Sequence, residues 1–368
     1  MTDSIRSSIF LGLAFLGILL MNGLYFMMPY EALNPYEYLS GSNLSTFQVL
    51  DILIGGAVVP FVALATGYLI HAFRHYGMGN LAKVAAFVLA LGIVQTFFIF
   101  AFDFLPGLAL MALVALLFLK AHWAVSLLAA LLLFFFHLTA NVLVGFFASV
   151  GSPTDISYTA MQDVQEFTSV FRSTDYFAII ALNIELFSRN AVSTLYGLLF
   201  TVLPWLLVGM SLGRLDIVRF IRSNPVMHII LFIVLAGGGM AIKMIQVLKL
   251  GSYSGRLLAE NFGGPVLALG YFLLVMYLTT IVPSSVLEVF RRMGRYFLTL
   301  YILSNVVFML IFYGIGAGMY GEIEITALIW TVLIILVFLM VLATVMHRYR
   351  IRSIEDLFAH NSENGINR

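Results

Sequence analysis

The sequence predicts an all-α, polytopic membrane protein: a bundle of about ten transmembrane helices with both termini in the cytoplasm. Of its 368 residues, 62% are hydrophobic and 10% are charged, and the mean hydropathy is +1.03. Soluble domains average roughly 45–50% apolar and about 25% charged residues. Because a soluble core of this length cannot hide so much apolar surface from water, the composition excludes a soluble protein.

Ten apolar stretches approach or reach the length of about 20 residues that a helix needs to cross a bilayer core. They are residues 8–28, 51–70, 82–102, 105–119, 124–149, 191–213, 226–248, 263–282, 296–315 and 325–346. The first stretch has no A-x-A-like exit site, so we expect a retained span rather than a cleaved signal peptide. The fourth is short and carries Pro106 near its start, so a full crossing and a re-entrant half-helix both remain open.

The distribution of charge predicts the orientation. With the N-terminus inside, the inner segments contain 14 of the 19 basic residues, and the outer side and outer half of the bundle contain 12 of the 18 acidic residues. Cytoplasmic loops of membrane proteins are enriched in Lys and Arg. Adding or deleting one span would break this alternation, which therefore supports ten spans with both termini cytoplasmic.

The spans predict a single membrane-embedded domain over residues 1–352, followed by a cytoplasmic tail over 353–368. The longest polar stretch, residues 150–190, is acidic and is expected outside the membrane, with one or two short helices lying on the outer surface. It is either a connector between two five-span halves or a lid over a membrane-embedded site.

The sequence excludes several kinds of chemistry. It contains no cysteine, which rules out disulfides, thiolate catalysis and iron–sulfur clusters. It also lacks the P-loop, H-E-x-x-H and G-x-S-x-G motifs. No metal site and no cofactor are predicted. No long basic or aromatic-laced segment indicates nucleic acid, so the expected partners are membrane lipids and a small-molecule or lipid-linked substrate.

Two ionisable residues within the spans are candidates for function, because charged and titratable groups are costly in a bilayer. His137 lies in the middle of the fifth span with Asn141 four residues later, and it is either a proton-transfer group or a partner in a helix–helix hydrogen bond. Lys243 lies near the outer end of the seventh span. It either extends its ammonium group to the interface or binds an anion.

Several segments of the chain resemble one known family. GILLMNGLYFMMPYEALNPYEYLSG at 17–41 resembles the N-terminal signature of the YeiB-like family, also called the domain-of-unknown-function 418 family. MGRYFLTLYILSNVVFMLIFYGIGAGMYG at 293–321 resembles that family's C-terminal motif. LPWLLVGMSLGR at 203–214 and GPVLALGY at 264–271 are similar to segments between them. The resemblance implies a location in the cell membrane, the plasma membrane of a bacterium.

The resemblance covers most of the chain but departs from the family pattern at polar positions. An acid and a base near the start of the first span are replaced by Ile9 and Leu11, and a glutamine of the ninth span is replaced by Leu303. The family positions that remain are Asn22, Arg295, Thr299, Tyr301, Ser304 and Glu355. Any substrate binding that depended on the lost groups in relatives is therefore changed or absent here.

We predict that a functional site lies among the first, fifth and ninth spans. His137 is its candidate catalytic residue, and the candidate substrate-binding residues are Asn22, Tyr301, Ser304 and Arg295. Polar groups in hydrocarbon need partners, and a shared pocket would satisfy them together. The alternative is that each group bonds its own neighbour. Arg295 and Glu355 are also expected at the same membrane face, where they would form an ion pair that docks the tail.

The function remains open between different classes. The family is distantly related to integral membrane acyltransferases, so the resemblance implies an acyl- or small-group transferase. The poverty of intramembrane acid–base groups argues against an enzyme. A transporter and a non-enzymatic accessory or immunity protein are the alternatives, and glycine and proline interruptions of the spans are compatible with transport.

Overall fold

The computed structural model describes residues 2–151, 159–248 and 253–355, and these residues form helices and loops without a strand. Residues 356–368 of the expected tail and residues 152–158, near the start of the segment 150–190, therefore lie outside the described residues. The helices are α1 Asp3–Met27, α2 Pro35–Tyr38, α3 Gly41–Ile54, α4 Val58–Ala72, α5 Met78–Phe98, α6 Leu105–Ala115, α7 Trp123–Gly151, α8 Met161–Phe171, α9 Tyr176–Thr201, α10 Leu203–Arg214, α11 Ile217–Ser223, α12 Pro225–Leu248, α13 Tyr253–Leu258, α14 Gly264–Ile281, α15 Ser284–Arg295, α16 Phe297–Phe312 and α17 Ile325–Tyr349.

The described helices confirm the predicted all-α membrane bundle. Eight helices or continuous helix pairs are long and apolar enough to cross a membrane, and there are up to nine if α15 and α16 together count as one bent span. The apolar helix Leu105–Phe118 is shorter and corresponds to the fourth predicted span. Each predicted span thus has a helical counterpart in the same order, while the orientation of the termini stays a prediction.

Three spans begin well before the residues that the sequence predicted. The second runs over Gly41–Ala72, the sixth over Tyr176–Arg214 and the eighth over Ser254–Ile281. The sixth begins at Tyr176 because the carboxylate of Asp175 caps the helix, accepting hydrogen bonds from the backbone N–H groups of Phe177 and Ala178 at 3.0 and 3.2 Å. The last part of the segment 150–190 is therefore the start of a long helix. The short helix that the structure describes within the segment 150–190 is α8.

Helix α1 lies at the centre of the bundle and contacts α4, α15, α16 and α17. Within its most apolar 18-residue window, 72% of the residues are buried, against 11% for α7 and 17% for α12. The apolar residues of α7 and α12 therefore largely cover the outside of the bundle, where lipid would surround them. This difference follows from their positions at the periphery, since all three helices are strongly apolar in sequence.

Several spans are irregular along their length. Residues Gly55–Ala57 interrupt the helix between α3 and α4, and Val202 marks the boundary between α9 and α10. Residues Ala259–Gly263 form a π-helical turn between α13 and α14. Helices α15 and α16 meet at an angle of 73°. Breaks of this kind free backbone groups inside a membrane protein, and they occur where those groups line a cavity or contact other parts of the protein.

Helix α8 is attached to two loops at the same end of the bundle. The backbone N–H of Gly314 donates to the carbonyl of Phe171 at 2.8 Å, and the ring of Phe171 stacks on Tyr313. Just before α8, the N–H of Ala160 donates to the carbonyl of Ala32 at 2.8 Å. The segment before α8 is thus joined to the loop that follows α1, which lines the pocket described below.

Candidate functional site

The structure brings two of the predicted site residues together. The side-chain amide of Asn22 on α1 donates to Oδ1 of Asn305 on α16 at 2.8 Å, and both residues are buried. The hydroxyl of Tyr301, one turn before Asn305, donates to Oδ1 of Asp103. The side-chain amides of Asn22 and Asn305 lie beside this hydroxyl. These four residues form a polar cluster between α1, α16 and the loop before α6.

Ser304 and Arg295 take different positions. Ser304 is fully buried on α16, but its hydroxyl donates to the backbone carbonyl of Tyr301 at 2.7 Å within the same helix. Arg295 is exposed at the end of α15, where its guanidinium group lies 5.7 Å from the centre of the Tyr296 ring. The polar cluster therefore receives side chains from Asn22 and Tyr301 but no hydrogen bond from the side chain of Ser304 or Arg295.

His137 lies apart from the polar cluster. Its Nε2 atom is 3.2 Å from Oδ1 of Asn261 in the π-helical turn, and its ring stacks on Phe200. The side chain of Asn141 donates to the backbone carbonyl of His137 at 2.9 Å. Helix α7 packs against α9, α10 and the region around the π-helical turn, and this packing directs His137 to other neighbours than α1 and α16. The four residues expected to share one pocket are thus divided between two places.

The predicted ion pair between Arg295 and Glu355 does not form. The carboxylate of Glu355 instead accepts hydrogen bonds from the backbone N–H of Thr299 at 3.1 Å and from the Thr299 hydroxyl at 2.7 Å. The N–H of Ile354 donates to that same hydroxyl oxygen at 3.1 Å. The first residues after α17 are thus docked onto the start of α16, as expected, but through a threonine.

A buried ion pair that the sequence did not predict joins two other spans. Nζ of Lys243 on α12 lies 3.2 Å from Oδ1 of Asp51 on α3, and their side chains are 0% and 5% exposed. Interpreting Lys243 as a residue that reaches the interface is therefore wrong. The hydroxyl of Tyr36 donates to the other carboxylate oxygen of Asp51 at 2.6 Å. Asp51 is satisfied on both oxygens, which makes the buried charges tolerable.

Two helix irregularities face each other beside this ion pair. Asp51 lies one turn before the break at Gly55–Ala57, and Gly56 in that break has a φ of +66°, which favours glycine. A Cβ atom on Gly264, at the end of the π-helical turn, would lie only 2.4 Å from the carbonyl carbon of Gly56. The backbones can approach this closely only because both positions are glycine.

A narrow pocket with room for about one water molecule lies next to the ion pair. Its lining residues are Tyr30, Pro35, Tyr36, Phe47, Asp51, Gln246, Arg256 and Glu260. Nε of Arg256 donates to Glu260 at 2.9 Å across one turn. Oε1 of Gln246 is buried and accepts no hydrogen bond. The pocket thus gathers acidic, basic, amide and phenol groups within a small space, and a solute larger than a water molecule would enter it only if the surrounding helices moved apart.

Among residues 2–151, 159–248 and 253–355, no group of three His, Asp or Glu side chains is placed to hold a metal ion.

The comparison with protein families bears on the second half of the chain. Residues 212–352 match the family described as "Protein of unknown function (DUF418)". This match covers less than half of the chain. It confirms the resemblance predicted for the segments at 264–271 and 293–321, whereas the segment at 17–41 lies outside the matched residues. The matched stretch contains Lys243, the π-helical turn, Arg295, Tyr301 and Ser304, whereas Asp51, Asn22 and His137 lie outside it. No curated protein and no solved structure matches the chain.

The sequence contained a signal for the ion pair. Asp51 and Lys243 are both charged residues at the edges of apolar stretches, and Gly55 and Gly56 follow Asp51 directly. From the sequence alone, Asp51 was counted among the outer acidic residues, and Lys243 was expected at the membrane interface. Only the packing of α3 against α12 shows that the two side chains point at each other.

Proposed function

We propose that this protein is a membrane transporter for a small polar solute, which it binds beside the paired helix breaks. The buried ion pair between Lys243 and Asp51 is the observation that carries the proposal. A charged pair enclosed between two spans is costly to maintain and is a default indication of function in a membrane protein. If the pair had only a structural role, two well-packed apolar side chains would stabilise the fold equally well.

The helix breaks support transport over a purely structural role. In many transporters the solute binds where helices are discontinuous, because unwound backbone groups and helix ends are available there as hydrogen-bonding partners. Here the break at Gly55–Ala57 and the π-helical turn Ala259–Gly263 lie against each other. Asp51 lies one turn before the break, and Glu260 lies within the π-helical turn. A solute that separates Lys243 from Asp51 would loosen both breaks at once.

The charge pattern orients the proposed site. The pocket lies at the end of the bundle that carries Glu31, Glu37 and Glu322, and the opposite end carries Arg74, Arg214 and Arg348. By the positive-inside rule the pocket would open to the outside of the cell membrane, the plasma membrane if the source is a bacterium. Lipids would surround α7 and α12.

Small-group transfer is the second candidate, and one observation favours it. His137 contacts Asn261 in the π-helical turn, and the adjacent residue Glu260 of that same turn lines the pocket, so a histidine and a carboxylate are both associated with one turn. A transferase would use His137 as the general base and Asn261 to orient its ring. A transfer reaction agrees with what the family resemblance implies, whereas the role of His137 rests on its position within a span.

Ligand binding tests the proposal first. We expect alanine, acetate or inorganic phosphate to raise the melting temperature of the protein in lipid nanodiscs, and Asp51→Asn to abolish the shift. Glu185→Gln, which changes an exposed acid on α9, serves as the matched control and should keep the shift. The proposal is overturned if none of the three compounds stabilises the wild-type protein, or if the response survives Asp51→Asn.

Uptake then separates the two functions. A transporter reconstituted in proteoliposomes should accumulate the radiolabelled compound that stabilised it, and His137→Ala should leave this uptake largely intact. A transferase should instead consume an acyl thioester in the presence of that compound, and His137→Ala should abolish the reaction. Consumption of thioester without any uptake would overturn the transport proposal in favour of transfer.

A further inference from the structure

The polar cluster around Tyr301 contains a carboxylate, that of Asp103, whose hydrogen bonding is incomplete. Asp103 precedes α6, and its Oδ1 accepts hydrogen bonds from the Tyr301 hydroxyl and, at 2.9 Å, from the backbone N–H of Leu105. Its second oxygen, Oδ2, is buried and has no hydrogen-bond partner. A carboxylate oxygen without a donor in a buried site is costly, so the group needs a neutralising partner.

The described surroundings do not supply a positive charge. No Lys, Arg or His among the described residues forms an ion pair with Asp103 or adds a charge interaction to it. The groups that face it are the titratable hydroxyl of Tyr301 from α16 and the N–H of Leu105 from its own loop. The neutral amides of Asn22 from α1 and Asn305 from α16 reach it through Tyr301.

We propose that Asp103 is a proton-binding site, built by Tyr301 together with the amides of Asn22 and Asn305. A proton on Oδ2 neutralises the charge and turns the unpartnered oxygen into a hydroxyl. It also occupies almost no space, which suits a cluster enclosed by α1 and α16. The side-chain nitrogen of Asn305 is likewise buried without an acceptor, so the amides retain capacity to rearrange when the proton binds.

The environment of Asp103 agrees with proton binding under physiological conditions. Burial raises the pKa of Asp103 from its usual value of 3.8 to about 7, while the hydrogen bonds from Tyr301 and Leu105 act in the opposite direction. Both protonation states are therefore populated near neutral pH. If the proposed transport function holds, the bound proton is a candidate for the coupling ion, and this use of the site rests on that function.

Infrared spectroscopy of the protein in nanodiscs tests the site without any transport assay. We expect a C=O band of a protonated carboxyl group that disappears as the pH rises through about 7. Labelling with ¹³C-aspartate should shift the band in the wild-type protein, which assigns it to an aspartic acid without a substitution. Asp103→Asn should remove the band, and Glu185→Gln should retain it.

A second variant separates positioning from mere folding. Tyr301→Phe should move the midpoint of the titration to higher pH, because it removes a donor that favours the charged carboxylate. Ser304→Ala is its control on the same helix and should leave the midpoint unchanged, since that hydroxyl bonds only within α16.

Three results would overturn the proposal: no protonated band in the wild-type protein, a band that ¹³C-aspartate does not shift, or a band that survives in a folded Asp103→Asn protein. Stabilisation by sodium chloride but not by choline chloride, without a protonated band, would assign the site to Na⁺ instead. Because proton binding is measured directly, failure of the transport assays would leave this result standing.

Discussion

Lys243 and Asp51 lie 192 residues apart in the chain, yet they form an ion pair of 3.2 Å with side chains that are 0% and 5% exposed. Removing one partner leaves the other charge buried and uncompensated, whereas removing both leaves neutral groups. We therefore expect Lys243→Met and Asp51→Asn each to cost about 3–5 kcal/mol of stability, and the double variant to cost clearly less than their sum.

Thermal or denaturant unfolding in detergent measures these differences. Glu322→Gln is the matched control, because Glu322 pairs with Arg172 at 2.6 Å on the surface with side chains 61% and 42% exposed. Exposed pairs contribute about 0–1 kcal/mol, so this control should have a small effect. Strictly additive losses in the buried pair would show that the two charges do not stabilise each other.

The close approach of the two helix breaks predicts a difference between glycines. Gly264→Ala should destabilise the protein strongly, because the new Cβ would lie 2.4 Å from the carbonyl carbon of Gly56. Gly238→Ala on α12 has no atom within 4 Å of the new Cβ, so it should be neutral or stabilising by roughly 0.4–1 kcal/mol. Melting temperatures of both variants check this, and equal effects would contradict the packing of the breaks.

The docking of the segment after α17 depends on Thr299. In a double-mutant cycle, Thr299→Val and Glu355→Ala should show a coupling of about 0.5–3 kcal/mol, since the two side chains share a hydrogen bond. Arg295→Ala and Glu355→Ala should be additive to within about 0.3–0.5 kcal/mol, because they do not touch. Coupling in the second cycle and none in the first would reverse this assignment.

The charge distribution predicts the membrane topology. A reporter inserted between Gly151 and Met161 should be detected outside the cytoplasm, and one fused after Arg352 should be detected inside. The reason is that the inner segments contain 14 of the 19 basic residues, and such residues are retained on the cytoplasmic side. Detection of both reporters on the same side of the membrane would refute ten spans.

The sequence predicted much of the fold from composition and apolar periodicity. The order of the spans, the short fourth helix and the resemblance to the DUF418 family all have counterparts in the structure or the family match. The starts of the second, sixth and eighth spans were missed, because these helices continue beyond the apolar stretches. At the sixth span, the cap from Asp175 stabilises the added first turn. Hydropathy indicates which residues can be buried in lipid, and this is a different property from the residue at which a helix begins.

The candidate site was predicted only in part. The sequence predicted that Asn22 lies near Tyr301, because the two residues are on spans expected to pack together. It did not predict that Asp103 and Asn305 join them, or which residue contacts His137. A polar residue in a span must find a partner, but the sequence does not say which helix supplies it. His137 contacts Asn261, which lies in a π-helical turn. The spacing of apolar residues in the sequence does not indicate such a turn.

The sequence by itself determined that this protein is a bundle of membrane helices, because the free energy of moving apolar side chains out of water depends on composition and length alone. Tertiary structure decided which charged and polar groups meet. Lys243 and Asp51 form a buried pair, rather than two residues at an interface, where the break after Asp51 packs on the π-helical turn and Gly263 leaves room for the side chain of Lys243. Such pairing depends on distances of a few ångströms between distant segments, which only packing sets.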